Sequence, residues 1–175
     1  MILQTAVEGD TELWNTFMEN STDEGGHMVH AARGQVIDLG GGAYLEILFP
    51  DRSLPHIEAN TGSTVARLVY GDTSFLFTGD SPLAIEKYLV RLDGAALQSD
   101  ILKAGHHGSR TSSSPEFVEA VNPDFAVFSR GCDNTYGHPH KEVTALFASS
   151  AIPTLDTCTD SRITFMSDGN ILWIK

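Results

Sequence analysis

Apolar residues come in short runs along this chain, and the spacing between them changes near residue 80. Asp10 is suited to cap a short helix over residues 11–18, with Glu12 near the positive end of its dipole, and the polar stretch 21–26 is expected to end it. Apolar runs at 28–32, 35–39 and 43–49 follow, divided by Arg33-Gly34 and by Gly40-Gly41-Gly42, and predict a small antiparallel meander closed by Pro50. Residues 64–70 and 73–78 flank Gly71-Asp72, a two-residue connection of the kind that closes a tight hairpin.

Beyond Asp80 the period lengthens. Ser81 is placed to cap a helix with Pro82 in its first turn, and Leu83, Ile85, Leu89, Val90 and Leu92 recur at nearly helical spacing. Residues 101–104 then read as a buried strand. The same unit recurs twice. Ser114-Pro115 opens a helix to Val121, Asn122-Pro123 stops it, and 125–128 is the next strand; His138-Pro139 opens a helix to Ser149 before a strand at 152–155. Strands alternating with helices imply a largely parallel sheet with right-handed crossovers, so the fold class is mixed α/β. Residues 163–166 and 171–174 around Asp168-Gly169 predict a final hairpin.

Composition narrows the picture. With 175 residues, 41% hydrophobic and 19% charged, the chain reads as one folded domain over 1–175 with a real core. Eleven Lys and Arg against 23 Asp and Glu give a formal charge of −12, and a surface so acidic repels phosphate backbones unless a cation intervenes. No apolar run reaches the roughly 18 residues that cross a bilayer, and the opening residues lack the pattern of a signal peptide. Cys132 and Cys158 each fall just past the carboxyl end of an expected parallel strand, which leaves open a disulfide or two free thiols.

In open α/β sheets, ligands gather beyond the carboxyl ends of the strands. Three such ends are unusually polar: Thr78-Gly79-Asp80, Gly105-His106-His107-Gly108-Ser109, and the segment 134–140 with Tyr136, His138 and His140. A carboxylate and imidazoles delivered to one rim suit zinc or manganese, which take oxygen and nitrogen donors and polarise water. Plainer readings stand beside this one. Asp80 is also suited to serve the following helix N-terminus, loop histidines are often merely solvated, His138 is placed to cap a helix, and His140 reads as a surface residue of its first turn. Adjacent residues cannot easily both face one ion, so at most one of His106 and His107 is expected as a ligand. The hydroxyl run 109–114 suits a phosphate or simply a loop.

Phe77-Thr78-Gly79-Asp80, the run from Asp100 through His106-His107-Gly108-Ser109, and Tyr136-Gly137-His138-Pro139-His140 together resemble the metallo-β-lactamase-fold domain of the ComEC type, found in bacterial DNA-uptake competence proteins. The resemblance implies an αββα sandwich in which Asp80 bridges two metals and His106 is the histidine ligand. His107 and His138 then act at the scissile phosphate, and Ser109 and Tyr136 contact substrate. It implies a phosphodiesterase acting on DNA through attack of metal-activated water, in a parent protein of the plasma membrane with this domain extracytoplasmic and joined to a channel domain. An oxidising exterior is compatible with a Cys132–Cys158 disulfide.

Two departures matter. Asn60 stands where many relatives carry a third ligand histidine, and an asparagine carbonyl is a weaker donor to zinc. The His-x-His-x-Asp-His run that supplies most of the ligands is absent, since His27, His30 and His56 have no Asp-His partner. The resemblance therefore implies a soluble C-terminal portion of such a domain, incomplete at its N-terminal side. It is expected to bind no metal tightly and to be inactive alone. Its natural partner is the missing N-terminal part, and an uncovered sheet face or edge predicts self-association. Two other readings remain: a catalytically dead interaction module, and part of a stand-alone hydrolase of the same fold.

Overall fold

The computed structural model describes residues 2–5, 7, 9, 11–51 and 57–175, and the statements below concern those residues. Strand β1 (Ile2–Gln4) leads to helix α1 (Glu12–Asp23) and then to β2 (Met28–His30), which lies parallel to β1. Asp10 lies outside the described residues; the cap position is held by Thr11, whose hydroxyl accepts from the Trp14 amide. The helix also runs farther than expected. Hydroxyls of Thr16, Ser21 and Thr22 donate back to the carbonyls of Glu12, Phe17 and Met18, so the first part of the polar stretch joins the helix, which ends within that stretch at Asp23.

Strands β3 (Val36–Gly40), β4 (Ala43–Phe49), β5 (Val65–Tyr70) and β6 (Thr73–Phe77) form an antiparallel series. β7 (Ile101–Lys103), β8 (Phe125–Phe128) and β9 (Thr154–Asp156) continue it in parallel from β6, so seven strands lie side by side in chain order. The expected parallel half and the Gly71-Asp72 hairpin are both present. The expected meander loses its first member, because residues 28–30 find their partner in β1 instead of β3.

Helices α2 (Leu83–Asp93), α3 (Pro115–Val121) and α4 (Lys141–Ser149) are the crossovers. Ser114 caps α3 as expected, accepting from the Phe117 amide, and Asn122 ends it in a left-handed conformation. The other two starts differ by one or two residues. Pro82 and His140 are extended and occupy the cap positions themselves, without side-chain caps, so Ser81 and His138 lie outside the helices.

One sheet face meets these helices: Leu48, Val65, Leu76, Leu102 and Ala126 pack with Leu89, Phe117, Val121, Val143 and Phe147. On the other face, Ile47 and Ala66 pack with Ala31 and Leu3. Farther along, Phe75 and Phe125 meet Phe165 of the hairpin formed by β10 (Phe165–Ser167) and β11 (Leu172–Ile174), with ring centroids at 5.9 and 6.4 Å. A cavity of about 440 Å³ remains on this face, lined by Leu68, Phe77, Ile101 and Val127 among others. Edge strand β3 is largely exposed. No helix is long and apolar enough to cross a membrane.

Glu86 of α2 is fully buried, and its two carboxylate oxygens accept the amides of Ser113 and Ser114 at 2.6 and 2.7 Å. Burial nonetheless raises its pKa above 4.5, outweighing those bonds. A native pKa above the unfolded one means that this group's contribution is full below pH 4.5 and declines as pH rises through the raised value. Urea titrations of the wild type and Glu86→Gln should therefore show the wild type's advantage shrinking as pH rises above 4.5; an unchanging difference would contradict the assignment.

Candidate functional site

Parallel pairing delivers the carboxyl ends of β6, β7, β8 and β9 to one rim. After β6, the Asp80 amide donates to the Ser63 hydroxyl at 3.1 Å, which ties this loop to the start of β5. After β7, residues 105–108 make a single tight turn, and His106 donates its amide to the Gly79 carbonyl at 3.1 Å. Both histidines of this turn are left-handed, with φ of 48° and 58°. Two consecutive non-glycine residues in that region carry backbone strain of a kind that gathers at functional sites.

The twist decides where the imidazoles go. His107 Nε2 lies 3.6 Å from Asp80 Oδ1. Its Nδ1 lies 2.6 Å from the Ser129 carbonyl, and a carbonyl only accepts, so Nδ1 carries a hydrogen and Nε2 is the ring nitrogen that faces the carboxylate. This is the arrangement that outer hydrogen bonds impose on a metal-ligating imidazole. The rings of His106 and His138 lie 6.2 and 6.4 Å from that of His107 and 5.5 Å from each other. Asp80, His106, His107 and His138 thus share one rim.

His138 is buried, and desolvation followed by the neighbouring His140, His106 and His107 holds its pKa below 6.5, with Asp80 opposing. His140 is half-buried rather than a surface residue: its ring meets His138 at 4.9 Å, and its Nδ1 accepts the Arg110 amide at 3.2 Å. Tyr136 is exposed and stacks on His138 with centroids at 5.7 Å. Ser109 is buried and its hydroxyl pairs with that of Thr111 at 2.9 Å, so it closes the turn instead of facing open space. Asn60 closes its own turn through its carbonyl, which accepts the Ser63 amide at 3.1 Å. His56 lies outside the described residues, and His30 on β2 has its Nδ1 3.4 Å from Gln4 Nε2.

Sequence reasoning missed several supports. Asn134 holds both ends of His138, accepting its amide at 2.9 Å and donating to its carbonyl at 3.0 Å; a short polar side chain four residues ahead was the available signal. Lys103 reaches the carbonyl of Gly79 at 3.3 Å, and burial lowers its pKa with partial opposition from Asp80. Arg130 pairs with Asp156 at 2.7 Å, and a disulfide joins Cys132 to Cys158, tying the loops after β8 and β9 together. Among the described residues, no group of three or more His, Cys, Asp or Glu side chains is disposed to hold a metal ion.

The family model for the metallo-β-lactamase superfamily matches residues 10–131. The chain belongs to the metallo-β-lactamase superfamily. Within that superfamily it is similar to competence protein ComA of Neisseria gonorrhoeae, 39% identical over 124 residues, which are 71% of this chain and 18% of that protein. It is also similar to ComE operon protein 3 of Bacillus subtilis (strain 168), 29% identical over 85% of this chain and 19% of that protein. Recombination protein 2 of Haemophilus influenzae is 32% identical over 73% of this chain and 16% of its own length. The chain therefore spans about a fifth of the length of the curated relatives it matches. The resemblance to ComEC-type competence proteins and the mixed α/β class read from the sequence are borne out.

The disulfide gives this metallo-β-lactamase domain a direct check. Unreduced, denatured protein should take up no iodoacetamide, and reduced protein should take up two adducts by intact mass. Reduction should cost roughly 3 kcal/mol of stability, as expected for a loop closed between positions 26 residues apart.

Proposed function

We propose that this chain is part of a metal-dependent phosphodiesterase domain acting on DNA during bacterial DNA uptake. The observation that carries the reading is the Asp80–His107 pair, with the far side of His107 fixed on the Ser129 carbonyl and His106 and His138 beside it. Oxygen and nitrogen donors so disposed fit zinc or manganese. Asp80 would hold the ion together with one histidine of the pair; the Nε2 that faces Asp80 favours His107 for the ligand role and leaves His106, with His138, on the phosphate side. Such an ion would supply charge stabilisation for attack of water on phosphorus and would offset the net charge of −12. His138, whose backbone Asn134 holds at both ends, is placed to move a proton at the phosphate or its leaving group.

Two side-chain donors are half a coordination sphere, so the chain alone binds the ion weakly and is inactive without an excess of it. The rest of the sphere would come from a preceding part of the same domain, in a parent protein with an extracytoplasmic placement and a channel. Metal analysis by mass spectrometry, followed by a nuclease assay on single-stranded DNA with excess manganese or zinc, tests the reading. Cleavage should depend on added ion and fall by roughly 100-fold or more in Asp80→Ala. That no three such side chains among the described residues are disposed to hold a metal favours one alternative, an interaction module without catalysis. Neither metal nor cleavage under any of these conditions would uphold it.

The half-covered sheet face and exposed edge strand support one further partner, a second copy of the chain. Light scattering on a size-exclusion column should show mass rising above 18.9 kDa with concentration. A strict monomer at high concentration would exclude it.

A further inference from the structure

Next to the imidazoles, a cavity of about 420 Å³ opens between the loops that follow β8 and β9, and His107 and His138 form part of its wall. The rings on this side are nearly parallel: His107 and His138 are inclined by 22°, and His138 and Tyr136 by 23°. They make a short row that begins at the candidate centre and ends on an exposed phenol, since Tyr136 has 76% of its surface open. An exposed aromatic at the end of a row of rings is a platform on which another flat ring can lie.

The remaining wall has little left to read an edge with. Arg130 is committed to Asp156 through Nε and a terminal nitrogen, at 2.8 and 2.7 Å. Asn134 spends its amide on Gly131 and His138, and Thr157 accepts from the Arg130 amide and donates to its carbonyl. Polar groups that satisfy one another offer a ligand stacking area without a hydrogen-bond code.

From this we infer that the cavity is a nucleobase subsite that takes any base: a nucleotide whose phosphate lies at the imidazoles places its base on Tyr136, unstacked from its neighbours. The inference rests on the phosphodiesterase reading and adds to it that the substrate is single-stranded or frayed and is cut without regard to sequence. A paired base stays stacked in its duplex and cannot cover the Tyr136 ring.

The test is an NMR titration of the isotope-labelled chain with deoxythymidine monophosphate, deoxyadenosine monophosphate and 2-deoxyribose 5-phosphate, all of which meet the same acidic surface. Both nucleotides should shift the Tyr136 ring signals and the Thr157 amide and bind within a few-fold of each other. The sugar phosphate should bind roughly tenfold more weakly and leave the Tyr136 ring unmoved. Tyr136→Phe should retain the difference and Tyr136→Ala should abolish it. Equal binding of the sugar phosphate, or unchanged nucleotide binding by Tyr136→Ala, would overturn the subsite. So would a preference for one base of more than about tenfold. DNA cleavage together with any of these results would leave the phosphodiesterase reading intact, whereas base-dependent binding without cleavage under any metal would uphold the subsite and remove that reading.

Discussion

Everything chemical in this molecule depends on backbone pairing continuing past the ends of the strands. Phe77, Lys103 and Val127 stand in one row of β6, β7 and β8. Beyond them the ladder persists in another form: Ala104 donates to the Val127 carbonyl at 2.9 Å, the Thr78 hydroxyl to that of Lys103 at 3.1 Å, and His106 to that of Gly79. These bonds turn the loops after β6 and β7 into extensions of a rigid sheet, and in the loop after β8 Asn134 holds His138 at both ends. A carboxylate and three imidazoles therefore face one another with little ordering left for a ligand to impose. A slip of one residue in any of the three strands would turn its terminal side chain to the helical face and break the group apart.

The hydroxyl-rich loop after the histidines is held by a different device. Its amides at 113 and 114 are satisfied by Glu86 from the helix beneath, and Ser112 donates to the Ser81 carbonyl at 2.7 Å. A buried acid so used is a poor source of stability and a good source of position, because only one loop conformation satisfies both of its oxygens. The run of serines that looked like a phosphate cradle is thereby explained as a loop anchored on its inner side.

Local signals were readable where they were self-contained. Gly71-Asp72 between alternating runs, Ser114-Pro115 ahead of α3 and Asn122-Pro123 behind it each carry their own geometry, and each stands where the sequence put it. What depended on a distant partner was not readable. Nothing in residues 28–32 shows that Ile2–Gln4 will outcompete β3 for them, and no spacing rule shows that the hydroxyls of α1 would turn inward along the helix. The rim's membership was legible from strand ends alone, but the facing of His107 toward Asp80 arises from two left-handed residues that a histidine pair does not announce. The bond between Cys132 and Cys158 likewise depended on β8 and β9 being neighbours.

The left-handed turn also dictates how the site can be dissected. At 106 and 107 the backbone tolerates asparagine or glycine with little complaint, because both visit positive φ readily. Alanine carries a conformational penalty there, and a β-branched residue a larger one. At Gly108 no side chain fits, since a Cβ would come within 2.6 Å of Pro139 and 2.8 Å of Phe128. Asparagine is thus the replacement that removes an imidazole while leaving the scaffold's shape alone, and an alanine scan of this turn would confound lost chemistry with lost architecture.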